Sequence, residues 1–265
     1  MDSAINAFAR KAAFEKISRY SLAIASFDNK QIGTGVLISA NGGRFILTAA
    51  HVIENADPQS LRFWLRPPAP IVEKAAINTT DAEVGKYSLG DNIPVRITNI
   101  DKQTDIAVLE IGPSFVMPEG PELYDIRQSH EFASWPEEKL DGVSLFLFGF
   151  PVDNSRPVIV EGNLVGKFLG TASLITEYSK EINANAWTNL SSQLSPHKDF
   201  LFKYGTYEEG IEPYGFSGCG VWVMPGDATS PIWRPAPLLV GVSHSYLKKS
   251  GLLCGTKLSA IIENV

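Results

Sequence analysis

Cysteine is scarce in this chain: its 265 residues hold two, Cys219 and Cys254. That excludes the disulfide framework that staples small secreted domains, and a chain of this length buries enough apolar surface to fold without one. An uncharged apolar segment near the start is also missing, because Arg10, Lys11, Glu15 and Lys16 fall where a secretory leader would need it. Together these absences predict a reduced, cytoplasmic protein. No apolar run reaches membrane-spanning length, and no block of Lys and Arg interrupts the net charge of −6. Neither a membrane nor a nucleic acid is therefore expected as a partner. The four histidines and two cysteines show no metal-ligand spacing, and no phosphate-cradling glycine loop precedes a helix. No metal and no cofactor are expected.

What is present is turn-rich and apolar in short runs: 44% hydrophobic residues, with 22 Gly and 17 Pro as punctuation. Residues 3 to 19 place Ile5, Phe8, Ala9, Ala12, Ala13 and Ile17 at helical spacing after Asp2 and Ser3, which predicts an amphipathic N-terminal helix over 1–19. Thereafter apolar runs recur at Leu22 to Phe27, Gly33 to Ile38, Phe45 to Leu47, Ile106 to Ile111, Leu145 to Phe150 and Leu238 to Val242. This spacing indicates an all-β barrel or sandwich. Asn41-Gly42-Gly43 supplies the positive φ of a hairpin turn between two of the runs. The Pro- and Glu-rich stretch near Gly112 to Asp141 divides the strands into two halves, giving a first half over 20–118, a linker over 119–140 and a second half over 141–265.

Three segments carry residues suited to nucleophilic chemistry. Ser217 sits in Gly215-Phe216-Ser217-Gly218, where flanking glycines expose a hydroxyl and let a main-chain N–H face a developing oxyanion; the plain alternative is a glycine-rich turn feeding a strand. His51 ends the apolar run Phe45-Ile46-Leu47-Thr48-Ala49-Ala50, whose small last residues leave room for an imidazole at a cleft edge, although lone histidines are more often surface or core residues. Asp105 opens Ile106-Ala107-Val108-Leu109, so a carboxylate stands at the edge of a buried strand and needs a donor such as an imidazole N–H; otherwise it is a turn cap. Asp101 is its rival, without the following apolar run. The chain order His, Asp, Ser excludes the α/β-hydrolase and subtilisin arrangements, and Cys219 breaks the hydrolase elbow pattern.

Thr48-Ala49-Ala50-His51, Asp105-Ile106-Ala107-Val108-Leu109 and Gly215-Phe216-Ser217-Gly218 resemble the three signatures of trypsin-like serine peptidases. Gly33-Thr34-Gly35-Val36-Leu37-Ile38 resembles the strand before the histidine, and Phe148-Gly149-Phe150-Pro151 a second-barrel strand, so the likeness spans residues 20 to 260 in outline. It is nearest to bacterial non-zymogen members such as HtrA-type peptidases and glutamyl endopeptidases. The resemblance implies two packed six-stranded antiparallel β-barrels with the helix in front. It also implies a serine endopeptidase acting on protein or peptide through an acyl-enzyme, with His51, Asp105 and Ser217 as the triad and the N–H groups of Gly215 and Ser217 as the oxyanion hole. The strand Gly241 to Ser245 would hold the substrate backbone, making Val242, Ser243, His244 and Ser245 substrate-binding candidates, with His244 expected to face solvent. Ile211 stands where trypsins that select Lys or Arg carry an aspartate, so an uncharged residue is expected before the cut bond unless Glu212 reaches the pocket.

Two positions depart from the common family pattern: Phe216 replaces an acid, and Cys219-Gly220 replaces Gly-Pro. Neither removes a catalytic atom. Cys219, the rival nucleophile, is expected to point into the barrel. Two other functions remain open on the same residues, a catalytically silent peptide-binding module and a non-peptidase acyl hydrolase.

Overall fold

The computed structural model describes residues 2–26, 32–54, 56–65, 93–129, 141–151, 155–160, 163–169, 172–179, 182, 194–204, 213–225 and 235–262. It is mostly β, with two curled antiparallel sheets packed together behind an N-terminal helix. The helix α1 spans Asp2–Arg19, and β1 (Ser21–Ser26), β2 (Ile32–Ala40), β3 (Gly43–Ala49), β4 (Leu61–Leu65), β5 (Val95–Asp101) and β6 (Ile106–Ile111) form the first sheet in the order β4-β1-β2-β3-β6-β5. The turn joining β2 to β3 is the expected one: Asn41 and Gly42 have φ of 49° and 79°, and Ala40 pairs with Gly43. A short helix, α2 (Ala50–Ile53), follows β3 directly.

The second sheet contains β8 (Ser144–Gly149), β11 (Ala172–Glu177), β12 (Asp199–Lys203), β13 (Gly220–Val223), β14 (Leu238–Leu247) and β15 (Leu252–Lys257), in the order β11-β8-β13-β14-β15-β12. Between β8 and β11 in sequence, β9 (Ser155–Val160) and β10 (Asn163–Leu169) pair as a separate hairpin. The chain ends its described part in α3 (Leu258–Ile262). No described helix is long and apolar enough to cross a membrane.

The continuous apolar runs have a simple cause. Successive strand residues point to opposite faces, and here both faces are covered. Leu22, Ile24, Leu37 and Leu109 fill the interior of the first sheet, while their neighbours Ala23, Val36, Ile38 and Val108 enter a core shared with the second. The same division sends Val221 and Val223 into the second interior and Trp222 into the shared core. Each such large side chain contributes roughly 1.5–3 kcal/mol by leaving water.

Helix α1 adds Phe14 and Ile17 to that shared core, and Tyr20, just beyond it, stacks on Trp222 with ring centroids 5.5 Å apart. Phe8, expected on the apolar face, is 74% exposed. At about 3.6 residues per turn it lies half a turn from Ile17, and Phe14 takes the inward position instead. The segment expected to be a linker is built into the fold over its described part. Tyr124, in β7 (Tyr124–Asp125), pairs in parallel with Ile38 of β2 and sets its ring edge-on to Trp222 at 5.0 Å. Just before it, Glu122 ties α1 down by accepting from Lys16 at 2.6 Å and Arg19 at 2.8 Å.

Candidate active site

β3 ends where α2 begins, and that junction carries His51. Opposite it, the turn between β5 and β6 ends at Asp105, whose φ of 52° is left-handed. Three bonds join the two. The Ala50 N–H donates to the Asp105 main-chain oxygen at 2.9 Å, the His51 N–H donates to Oδ1 at 3.0 Å, and the His51 ring meets Oδ2 through Nδ1 at 2.7 Å. An imidazole held this way carries its proton on Nδ1 and turns the Nε2 lone pair outward. The rival Asp101 is occupied locally: its Oδ1 accepts from the N–H groups of Gln103 at 2.8 Å and Thr104 at 3.4 Å. Partial burial opposes its ionisation, but hydrogen bonds with Thr104 and Gln103 outweigh this and hold its carboxyl below the usual range.

Ser217 lies on the loop before β13, between Gly215 at φ 96° and Gly218 at φ 87°. That loop is clamped from the first sheet. Thr34 of β2 donates its N–H to the Ser217 oxygen at 2.8 Å and its hydroxyl to the Gly215 oxygen at 2.7 Å, while its own oxygen accepts from the Thr48 hydroxyl at 2.8 Å. The fit leaves no room for a side chain at Gly218, where a Cβ would come within 1.9 Å of the Thr34 oxygen. Neither the Gly215 nor the Ser217 N–H has an acceptor among the described residues, so both remain available to an oxyanion. The Ser217 hydroxyl donates to the His244 main-chain oxygen at 3.1 Å rather than to His51.

His51 and Ser217 line one cleft of about 340 Å³, which Tyr214, Ser245, Tyr246 and Leu253 help to wall. Phe216 is buried among Leu145, Leu147 and Phe200 in the second interior. Cys219 is fully buried beside it, and burial pushes its thiol well above the ordinary cysteine range, so it is no nucleophile.

Of the strand expected to hold substrate, Ser243, His244 and Ser245 line this cleft. Val242 lies in the shared core, not in the cleft. Ser243 is a buried part of the cleft wall, its oxygen taken by the Gly218 N–H at 2.6 Å and its N–H by the Cys219 oxygen at 2.9 Å. His244, expected to face solvent, is 4% exposed. The reason is a bulge in the β14–β15 register between Ser243 and Ser245, which breaks the alternation of faces. Ser245 is half-buried on the cleft wall, with its hydroxyl 2.9 Å from His244 Nδ1. Ile211 and Glu212 lie outside the described residues. Sequence reasoning passed over Thr34 as a site residue: an inward strand threonine gives no signal of a partner so far along the chain.

A family model for the trypsin-like peptidase domain matches residues 33–193, a span that holds His51 and Asp105 and stops before Ser217. No curated protein sequence matches the chain. Among solved structures, the Rv3671c protease from M. tuberculosis in its active form is similar at a TM-score of 0.55 and 14% identity, over 97% of this chain and 84% of that one. Its inactive form gives 0.54 and 13%, over 97% and 93%. The HtrA-type protease AlgW with a tripeptide gives 0.54 and 14%, over 96% of this chain and 61% of that one. At such identities the likeness is one of fold.

Proposed function

The chain belongs to the trypsin-like peptidase domain family and is a serine endopeptidase, and from that membership we propose that His51, Asp105 and Ser217 carry the reaction. The observation that supports this most is the three-bond clamp of Asp105 on Ala50 and His51, which sets His51 as a base at the cleft that Ser217 also lines. As substrate binds, the Ser217 hydroxyl leaves the His244 oxygen and turns to His51. Oγ then attacks the scissile carbonyl carbon, and Nε2 takes the hydroxyl proton. The resulting oxyanion rests on the Gly215 and Ser217 N–H groups. Collapse breaks the C–N bond, His51 returns the proton to the leaving amine, and water then cleaves the acyl-enzyme by the same route.

The described cleft wall carries no Lys, Arg, Asp or Glu. Buried charge without a partner is costly, so an uncharged side chain before the cut bond suits this pocket. Phe216 packs the nucleophile loop where an acid would need a freed amino terminus, which supports activity without proteolytic processing. Both cysteines are free and buried, in keeping with a reducing compartment such as the cytoplasm. A serine-directed fluorophosphonate tests the assignment: the label is expected on Ser217, and labelling of Cys219, or of neither, would overturn it. Peptide-library profiling is expected to return uncharged residues before the cut bond, and cleavage only after Arg or Lys contradicts the pocket reading.

A further inference from the structure

A second imidazole approaches the same Asp105 oxygen that His51 meets. The bulge in β14 turns His244 inward until its side chain is 3% exposed. Its Nδ1 stands 3.7 Å from Asp105 Oδ2, and its Nε2 stands 3.6 Å from Asp199 Oδ1 with no hydrogen-bond partner among the described residues. Asp199 opens β12 and is itself 2% exposed, accepting from the Ser195 N–H at 2.8 Å and facing the Thr256 hydroxyl at 3.3 Å. Among the described residues, no Lys or Arg comes within ion-pair distance of either carboxylate. One ring therefore lies between two buried or half-buried carboxylates, one nitrogen toward each. The same residue also meets Ser217, through its main-chain oxygen.

We propose that His244 is a positioning residue for the peptidase reaction, anchored by Asp199: its ring backs Asp105 while its bulged main chain sets the resting place of the Ser217 hydroxyl. This rests on the triad assignment above. The Ser245 hydroxyl stands 2.9 Å from Nδ1; with that hydroxyl donating, the ring proton sits on Nε2, where it faces Asp199. Movement of the Asp199 anchor would then shift the bulge, and with it both Asp105 and the Ser217 acceptor. A competing reading exists for the same place, because Cys254 Sγ lies within 4.8 Å of the His244 and Asp199 ligand atoms and the three together could hold a thiophilic cation. Metal content of the purified protein separates that reading from this one.

The variant Asp199→Asn tests the proposal in the full chain, since it keeps the shape of a side chain that bonds to none of the triad. Expected is a fall of about tenfold in kcat with KM changed less than about twofold, an equal slowing of phosphonate labelling at Ser217, and a double variant with His244→Asn no worse than the poorer single one. Wild-type kcat and labelling rate in Asp199→Asn, or additive losses in the double variant, would sink it. So would a stoichiometric metal found in the purified wild type and lost in Asp199→Asn. Should that variant fail to fold, nitrogen-15 histidine spectra of the wild type decide: a proton on His244 Nε2 supports the anchor, and a bare Nε2 overturns it. A wild type that takes no label at Ser217 speaks against the triad assignment, whereas a labelled wild type matched by Asp199→Asn speaks against His244 alone.

Discussion

The two halves of the molecule reach the cleft in different states. In the first, Asp105 and His51 are already joined, and every atom of that clamp comes from α2 and the adjoining β5–β6 turn. In the second, the nucleophile rests on the His244 oxygen, and its loop takes its shape from Thr34, which belongs to the other sheet. The base is thus preassembled by local structure. The nucleophile loop is placed through Thr34, so loss of that clamp should silence Ser217 while leaving the His51–Asp105 pair intact.

The largest effects come from removing the reacting groups themselves. Ser217→Ala, His51→Ala and Asp105→Asn are each expected to lower kcat by about four orders of magnitude or more with circular dichroism unchanged, and the combined variants to fall little further. Substantial activity in any one would break the account of the halves as one catalytic unit. Next is Phe216→Ala, which empties a fully packed ring site in the second interior. A loss of about 3–5 kcal/mol in urea unfolding is expected. With Phe216 intact, protein bearing an uncleaved N-terminal extension should be as active as untagged protein, and activity restricted to processed material would contradict packing as the device that holds the loop.

Thr34→Val sharpens the comparison most directly. It strands the Gly215 oxygen, and also the Phe150 N–H that meets the Thr34 hydroxyl at 3.2 Å. The expected cost is about 1–3 kcal/mol of stability, with slower labelling of Ser217. The downfield proton resonance of His51 Nδ1–H should stay where it is; its loss would mean that the base pair also depends on the Thr34 clamp. The smallest effect belongs to Glu122, far from the cleft. Partial burial opposes its ionisation, yet Lys16 and Arg19 hold its carboxyl below the ordinary range. A carboxyl lowered in the folded state adds stability above its unfolded value and gives it up as pH falls through the folded one. Glu122→Gln should therefore cost less than about 1 kcal/mol at neutral pH, a partly exposed pair being screened, and nothing in acid; thermal melts at the two pH values check this.

The strands and the three motifs were legible because each rests on local pattern: apolar runs broken by turns, a histidine after two alanines, a serine between glycines. What escaped depends on register and on distant partners. The inward turn of His244 follows from one extra residue in a ladder, and nothing in Val242-Ser243-His244-Ser245 marks a bulge. Tyr124 read as part of a linker because a two-residue strand has no periodicity to detect. Thr34 looked like any strand threonine, since its importance lies in the loop it meets 181 positions later.

Asp105 adopts a main-chain conformation that, among the described non-glycine residues, only Asn41 shares. Left-handed backbone admits Gly, Asn and Asp with ease and strains most other residues. The position therefore screens replacements twice, once by the chain and once by the carboxylate. Gly and Asn pass the first screen and fail the second, while Glu, the nearest acid, fails the first. In the language of sequence space, Asp105 is an isolated point: no single exchange leads away from it without giving up either the fold of the turn or the charge behind the histidine.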